Sequence, residues 1–342
     1  MKMERRKVQL TGGSTLTISL PIKWARKVGI KQGDELTLIQ QSNDALLMRP
    51  VRGKQEELKS VEFVLSEKES LEGNFRYLIA HYLVGYDLIR LLSPAGFGAE
   101  KRKWIKEEVR KRLIGMEVVG ESSKEMVLKS FLKYEDFTLL DAIRSMSKII
   151  LSMQEDAIAA VDEGDQNLAK DVIERDNELD RFYLLIVRQL KAAMSDPELA
   201  KKIGVSRPRD SLGYRIIVKN MERIGDHLES IAKNAMAITS PTPIKIEGIK
   251  ELGSSVKNLF TKILASLSRM DIEKANEAIT DANILMDTVK RLNERILAED
   301  WSLTDKIHAL SILESLGKIA KYCEDIAEVT INMGFEVPGE AY

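Results

Sequence analysis

Glu222-Arg223-Ile224-Gly225-Asp226-His227-Leu228-Glu229-Ser230-Ile231-Ala232-Lys233 is the stretch whose reading decides the fold. It reads as a helix with two carboxylates, Glu222 and Asp226, one turn apart on one face, where like charges repel by a few tenths of a kcal/mol, ~0.2–0.5. Gly225 is unfavourable by about 1 kcal/mol inside a helix, and its place there permits close approach of a neighbour. Upstream, Asp176-Asn177-Glu178-Leu179-Asp180 repeats the arrangement with Asp176 and Asp180. Two helices that each carry such a pair can face one another across a bundle and hold a hard cation. Asp176, Asp180, Glu222 and Asp226 are therefore candidate ligands, with magnesium, manganese, iron or zinc as the metals that carboxylate oxygens suit. The plainer alternative pairs these carboxylates with Arg175, Arg181 and Arg223 as surface ion pairs. His227 and Glu178 point away from the shared faces and are left out.

Outward from this stretch the apolar period stays helical. Leu139, Ile143, Met146, Ile149, Ile150 and Met153 step by three and four, the stripe of an amphipathic helix. Glu163-Gly164-Asp165 is a turn in which Asp165 can cap a second helix over 166–194, and a loop through Asp196-Pro197 and Gly204 to Pro208 leads to a third ending near Thr239. Ser240-Pro241-Thr242-Pro243 is a break. Helices are then expected near 248–270, 272–298 and 303–333, the last containing Ile326-Ala327-Glu328 as the third contains Ile231-Ala232-Lys233. The order predicts two three-helix units in tandem, over 136–241 and 242–338.

"DNELDRFYLLIVRQL" and "MERIGDHLESIAK" resemble the two signatures of the PhoU family, negative regulators tied to phosphate uptake. The resemblance spans about 137–335 and is weaker in the second half. It implies transition-metal ions, iron or zinc clusters, held by the acidic motifs. Carried over, the ligands are again Asp176, Asp180, Glu222 and Asp226. In the second repeat Asn283 and Asp287 stand for the first Asp pair, and Gly317 and Lys321 for Glu222 and Asp226. A lysine supplies its own positive charge, so one metal site per protomer is expected where the family pattern has two.

At the other end the period is two. Val8 and Leu10 precede a Thr11-Gly12-Gly13-Ser14 turn, and Leu16, Ile18 and Leu20 alternate with Thr15, Thr17 and Ser19, a hairpin pattern. Pro21 opens a short helix over 22–28 that Gly29 closes. Gln32-Gly33-Asp34 turns into a strand at 35–39, and Ser42-Asn43-Asp44 turns into another at 45–48. Fifty residues ordered ββαββ bury too little of their own core, so an intertwined homodimer is expected. "GSTLTISLPIKWARKVGIKQGDELTL" resembles the swapped-hairpin DNA-binding domain of the AbrB, MazE and SpoVT family, with Gly29, Gly33 and Asp34 in place. That resemblance implies a dimer offering DNA its basic residues: Arg5, Arg6 and Lys7 on the first strand, and Lys23, Arg26 and Lys27 on the helix. Trp24 reads as core.

Charge agrees with that division. Residues 1–54 hold eleven Lys and Arg against four Asp and Glu, and the remainder holds 41 against 49. A basic head on an acidic body points to a polyanion at the head alone. Between them, 55–135 reads as a small α+β linker domain of ferredoxin-like kind: a strand at 60–65, a helix over 71–92, a charged helix over 100–113, and a hairpin at 115–120 and 126–128. Lys101-Arg102-Lys103 sits beside Glu107 and Glu108 and reads as a solvated face; His81 reads as structural.

The whole is a mostly α chain in four parts: a swapped-hairpin domain at 1–54, the α+β domain, and two helical repeats. No apolar run is long enough to span a membrane, the amino terminus is charged rather than a signal core, and the single cysteine, Cys323, excludes an internal disulfide. A cytoplasmic protein is expected. No Glu-x-x-His pair, Walker loop or dinucleotide fingerprint occurs, which argues against an enzyme. The functional expectation is a DNA-binding, metal-binding transcriptional regulator of phosphate uptake. The alternative is an adaptor without DNA contact that docks on a phosphate ABC transporter or a sensor kinase.

Overall fold

The computed structural model describes residues 4–40, 45–51, 58–207, 209–238 and 245–335. The expected turn at Ser42–Asp44, the Ser240–Pro243 break and the junctions at 54/55 and 241/242 lie outside the described residues. The described residues fall into two compact units, one up to residue 51 and one over Leu58–Phe335.

In the first unit β1 (Gln9–Thr11) and β2 (Thr15–Thr17) pair antiparallel with Thr11 opposite Thr15. Gly12 and Gly13, at φ 63° and 82°, supply the two positive dihedrals that so tight a turn requires. Pro21 precedes α1 (Ile22–Lys27), Gly29 follows it in the left-handed region at φ 74°, and β3 (Leu36–Gln40) pairs antiparallel with β4 (Leu46–Pro50). Among the described residues of this unit only Ala25 is buried, at 8% exposure, while Val8, Leu10, Leu16, Ile18, Ile22, Leu38 and Leu46 are open to solvent. Trp24 is half-buried. Two isolated two-stranded ribbons with exposed apolar faces are marginal in water by themselves.

The second unit begins with a four-stranded sheet. β5 (Ser60–Val64), α2 (Leu71–Val84), β6 (Leu88–Leu92), α3 (Ala99–Arg112), β7 (Met116–Glu121) and β8 (Glu125–Ser130) follow in order. The sheet runs β5-β6-β8-β7, with β5 parallel to β6 and the other pairs antiparallel. Two expectations are corrected here. The helix read over 71–92 ends at Val84, because Gly85 at φ 99° caps it, and Leu88–Leu92 is a central strand. Ile89 and Leu91 are buried and Arg90 between them is exposed, but Leu-Ile-Arg-Leu-Leu is apolar enough to pass for helix by periodicity alone. The topology is βαβαββ rather than ferredoxin-like, because α2 crosses directly to an adjacent parallel strand and the chain closes on a hairpin.

The helical body follows: α4 (Leu139–Glu163), α5 (Gln166–Ser195), α6 (Pro197–Lys202), α7 (Asp210–Ala237), α8 (Ile249–Arg269), α9 (Ile272–Ala298) and α10 (Leu303–Gly334). Starts are capped as the sequence directs. Thr138 and Asp141 form a capping box on α4, Asp165 accepts from the Asn167 and Leu168 amides, and Ser302 accepts from that of Asp305. The short α6 is an addition to the expected elements; Asp196 caps it and Pro197 occupies its first turn. α4, α5 and α7 pack together, α8, α9 and α10 likewise, and α7 against α10 joins the two sets over one continuous apolar core. Cys323 is fully buried in that core.

The sheet domain is fastened to α5. Arg188, 1% exposed, donates to the carbonyls of Tyr82 and Tyr86 and to Asp87 Oδ1, and lies 4.7 Å from the Tyr82 ring centroid. Leu184, one turn earlier, packs into the apolar cluster of the sheet domain.

Candidate metal centre

α5 and α7 approach closely where Gly225 of α7 meets Leu179 and Asp176 of α5. A Cβ on Gly225 would lie 2.4 Å from Leu179 Cδ1 and 3.1 Å from Asp176 Oδ1, so only glycine lets α7 approach this part of α5. The crossing sets Asp176 and Asp180 of α5 against Glu222 and Asp226 of α7, and Glu229 of α7 joins them electrostatically. All four residues expected from sequence fall within one acidic seam. Glu229 was missed; it stands three residues after Asp226 and seven after Glu222, a spacing that places it on the same face.

The seam is short of positive charge. Glu222, 9% exposed, accepts from Lys219 Nζ at 2.6 Å. The three arginines offered as alternative partners are turned elsewhere. Arg175 pairs with Asp156 and with Asp171, the latter at 2.6 Å, and Arg223 lies over the Tyr322 ring. Arg181 Nε is itself buried without a hydrogen-bond partner. Among the described residues Asp176, Asp180 and Asp226 have no ion pair, and Asp176 Oδ1 is sealed from solvent with no donor.

Electrostatics follows from that geometry. Burial first, and then Asp180, Asp226, Glu229 and Glu222, push Asp176 up to about 7. Burial and the Glu222 and Asp180 carboxylates raise Asp226 to about 6, against the pull of Lys219. Asp180 is raised by burial and Glu222, and lowered by Lys219 and Arg112. Asp176 is the inner member. A proton held on Asp176 near neutrality thus relieves the repulsion among these carboxylates, work that a bound cation could do instead.

The donor set fits a cation by its chemistry and by the orphaned Asp176 oxygen. It is not drawn tight: among the described residues no group of three or more His, Cys, Asp or Glu side chains converges on a common metal position. At the corresponding place in the second repeat, Asp287 pairs with Lys290 at 2.9 Å and Lys321 with Glu324 at 2.9 Å, so the charges there are already matched. His227 stacks beside Tyr322 with Nδ1 3.4 Å from Ser315 Oγ, and His81 Nδ1 lies 2.7 Å from the Tyr77 carbonyl; neither faces the seam.

In the amino-terminal unit Arg5, Arg6, Lys7, Lys23, Arg26 and Lys27 are all exposed, and Arg6 pairs with Glu4 at 2.6 Å. Lys101 donates to Ser93 Oγ at 3.3 Å and Arg102 to the Ser122 carbonyl at 3.1 Å, so two of the three cations in that run hold their own domain together.

These features define a tandem three-helix-bundle protein with an acidic seam in its first bundle, preceded by a small β-rich unit. Residues 143–235 match the family model described as PhoU domain, and residues 9–56 the one described as Antidote-toxin recognition MazE, bacterial antitoxin. The chain therefore joins a MazE/AbrB-like domain to a PhoU domain, and it has PhoU homologues. It is 25% identical over 209 residues to the phosphate-specific transport system accessory protein PhoU homolog of Xylella fastidiosa strain Temecula1, covering 59% of this chain and 83% of that one. The PhoU of Escherichia coli K12 is 23% identical over 199 residues, covering 54% and 78%. The crystal structure of the phosphate transport system regulatory protein PhoU from Streptococcus pneumoniae superposes with a TM-score of 0.51 at 20% identity, covering 57% of this chain and 92% of that one, which shows the fold.

Proposed function

We propose that this chain is a cytoplasmic, DNA-binding regulator of phosphate uptake whose helical body carries one divalent or transition-metal ion per protomer. The observation that carries the reading is the sealed, donorless Asp176 oxygen among carboxylates, in a PhoU domain that follows a MazE-type domain. Asp176, Asp180, Glu222 and Asp226 would hold the ion, which would supply the positive charge that the seam lacks. Loading would require these side chains to turn inward. The matched charges at Asp287 and Lys321 support a single site.

In this reading the organisation is fourfold: a head at 1–54, the sheet domain at 55–135, and repeats at 136–241 and 242–338. The head is a homodimer. A second copy would cover the exposed Leu10, Leu16, Ile18 and Leu38 and complete the strand edges. Arg5, Arg6, Lys7, Lys23, Arg26 and Lys27 would neutralise phosphates, giving register and salt dependence rather than base identity. The body would regulate without catalysis; the names of the relatives point to a phosphate transport system as its partner, and a sensor kinase is the alternative. No described helix is long and apolar enough to cross a membrane.

A gel-shift titration of the full chain against genomic DNA fragments at graded salt, with and without manganese, tests the coupling of head and body. The reading expects binding that weakens steeply with salt and shifts with metal. Binding indifferent to both contradicts it.

A further inference from the structure

The four-stranded sheet ends in two strands of different character. β7 carries Glu117 and Glu121, which face Arg110 of α3 at 3.8 Å and Lys106 of α3 at 2.7 Å, and its ladder is irregular between Val118 and Gly120. Charges and bulges are devices that keep an edge from pairing. β5, at the opposite edge, carries one charge, Glu62, and keeps a regular parallel ladder with β6. The Lys59 carbonyl accepts from the Leu88 amide, and the Leu65 amide donates to the Leu92 carbonyl. Alternation along the strand therefore turns the backbone of Val61 and Phe63 toward β6, and that of Ser60, Glu62 and Val64 outward. Among the described residues no hydrogen bond reaches these three from the outer side. Beside this edge runs an apolar flank. The Phe63 ring lies 6.1 Å from that of Tyr77 and 5.1 Å from that of His81, and Tyr77, His81 and Val84 share one face of α2. Tyr77 is 50% exposed and Val84 60%.

We propose that β5 pairs antiparallel with β5 of a second copy of this chain, joining two four-stranded sheets into one of eight and laying the two exposed α2 faces together. The sheet domain is then a clamp between protomers rather than a spacer. Chain length selects a second copy as the occupant. Ser60 follows Val51 by nine residues, at most about 30 Å of extended chain. A homodimeric head therefore holds two β5 edges at an effective concentration of about a millimolar. The proposal rests on the dimeric head for that encounter, and on the sheet domain alone for the contact itself. Two-fold symmetry restricts the register. Centring it on Phe63 sets Glu62 opposite the copy's Val64 and keeps Glu62 from facing its own copy, where like charges repel. The outward amides and carbonyls of Glu62 and Val64 then bond to one another across the two-fold axis. The two Phe63 residues meet at the closer, non-hydrogen-bonded position, and their rings continue the flank of Tyr77 and His81.

The test is sedimentation velocity beside amide-resolved hydrogen exchange, both on the full chain. The wild type is expected to be a dimer whose Glu62 and Val64 amides are protected at least about 100-fold, although the chain's own ladder gives neither an acceptor. Glu62→Pro removes an outward N–H, which an edge strand tolerates. The sheet should stay folded, with the Phe63 amide still protected by β6 while the Val64 amide is freed. Tyr77→Glu sets like charges on the two α2 faces and should lower Val64 protection about ten-fold. A dimer whose Glu62 and Val64 amides exchange as freely as those of an unstructured chain overturns the proposal and leaves the dimeric head intact; the edge is then open to a strand of another protein. Protection that persists in a monomer also overturns it, because the chain then covers its own edge. A Glu62→Pro chain that stays dimeric with a freed Val64 amide supports both contacts. One that becomes monomeric supports the β5 contact and contradicts the dimeric head. A monomeric wild type with a free edge contradicts both.

Discussion

Replacing Asp176 by Asn should stabilise the metal-free protein at pH 8, the reverse of what removing a buried charge partner usually does. The folded-state value of Asp176 is about 7 against an ordinary 3.8, so the native state holds a proton that the unfolded chain has released. Between those values the native state binds more protons, and stability falls as pH rises from about 4 to about 7 and stays low above. Three units correspond to about 4 kcal/mol as a ceiling. The shift is shared with Asp180, Asp226, Glu229 and Glu222, and Asn keeps the shape but still lacks a donor for its oxygen. About 2 kcal/mol is therefore the expected gain at pH 8. Near pH 4 the gain should vanish. Urea unfolding of chelator-treated wild type and variant, followed by circular dichroism from pH 4 to pH 8, reads the difference directly. A variant that is less stable than wild type at pH 8, or a difference that does not change with pH, refutes the reasoning.

Other outcomes follow from the same geometry. Gly225→Ala gains about 1 kcal/mol of helix propensity, but its methyl would meet Leu179 Cδ1 at 2.4 Å; a net loss of about 1–3 kcal/mol in thermal or urea unfolding is expected, with reduced metal uptake. Arg188→Met removes the charged donor shared by the Tyr82 and Tyr86 carbonyls and Asp87, and should cost about 3 kcal/mol and raise hydrogen exchange in α2 and β6 while α9 and α10 stay protected. Charge reversal at Arg5 and Arg6 should weaken DNA binding at every salt concentration and lower the slope of log affinity against log salt by about 1 for each phosphate left without its cation, read by fluorescence anisotropy.

The helical body was legible because its signals are local and redundant: a stripe at Leu139 to Met153, caps at Asp165 and Ser302, and breaks between helices all point the same way. The sheet domain was less so. Leu88–Leu92 is a central strand whose apolar run carries no period, and only Gly85 marked the end of the helix before it. The choice between ferredoxin-like and the observed topology depends on which strands pair, which no local pattern encodes. In the acidic seam, the face-sharing of Asp176 with Asp180 and of Glu222 with Asp226 could be read from spacing. The burial that singles out Asp176, and the turning of Arg175 toward Asp156 and of Arg223 toward Tyr322, needed the packed helices.

Metal content tests the central claim most directly. The full chain, loaded separately with manganese, zinc or iron(II) and then desalted, is analysed beside Asp176→Asn, Asp226→Asn and, as a control in the second repeat, Asp287→Asn. One equivalent per chain of at least one metal, lost in the first two variants and kept in the third, is the result predicted. Full retention in Asp176→Asn and Asp226→Asn, or no metal in the wild type under any loading, contradicts it.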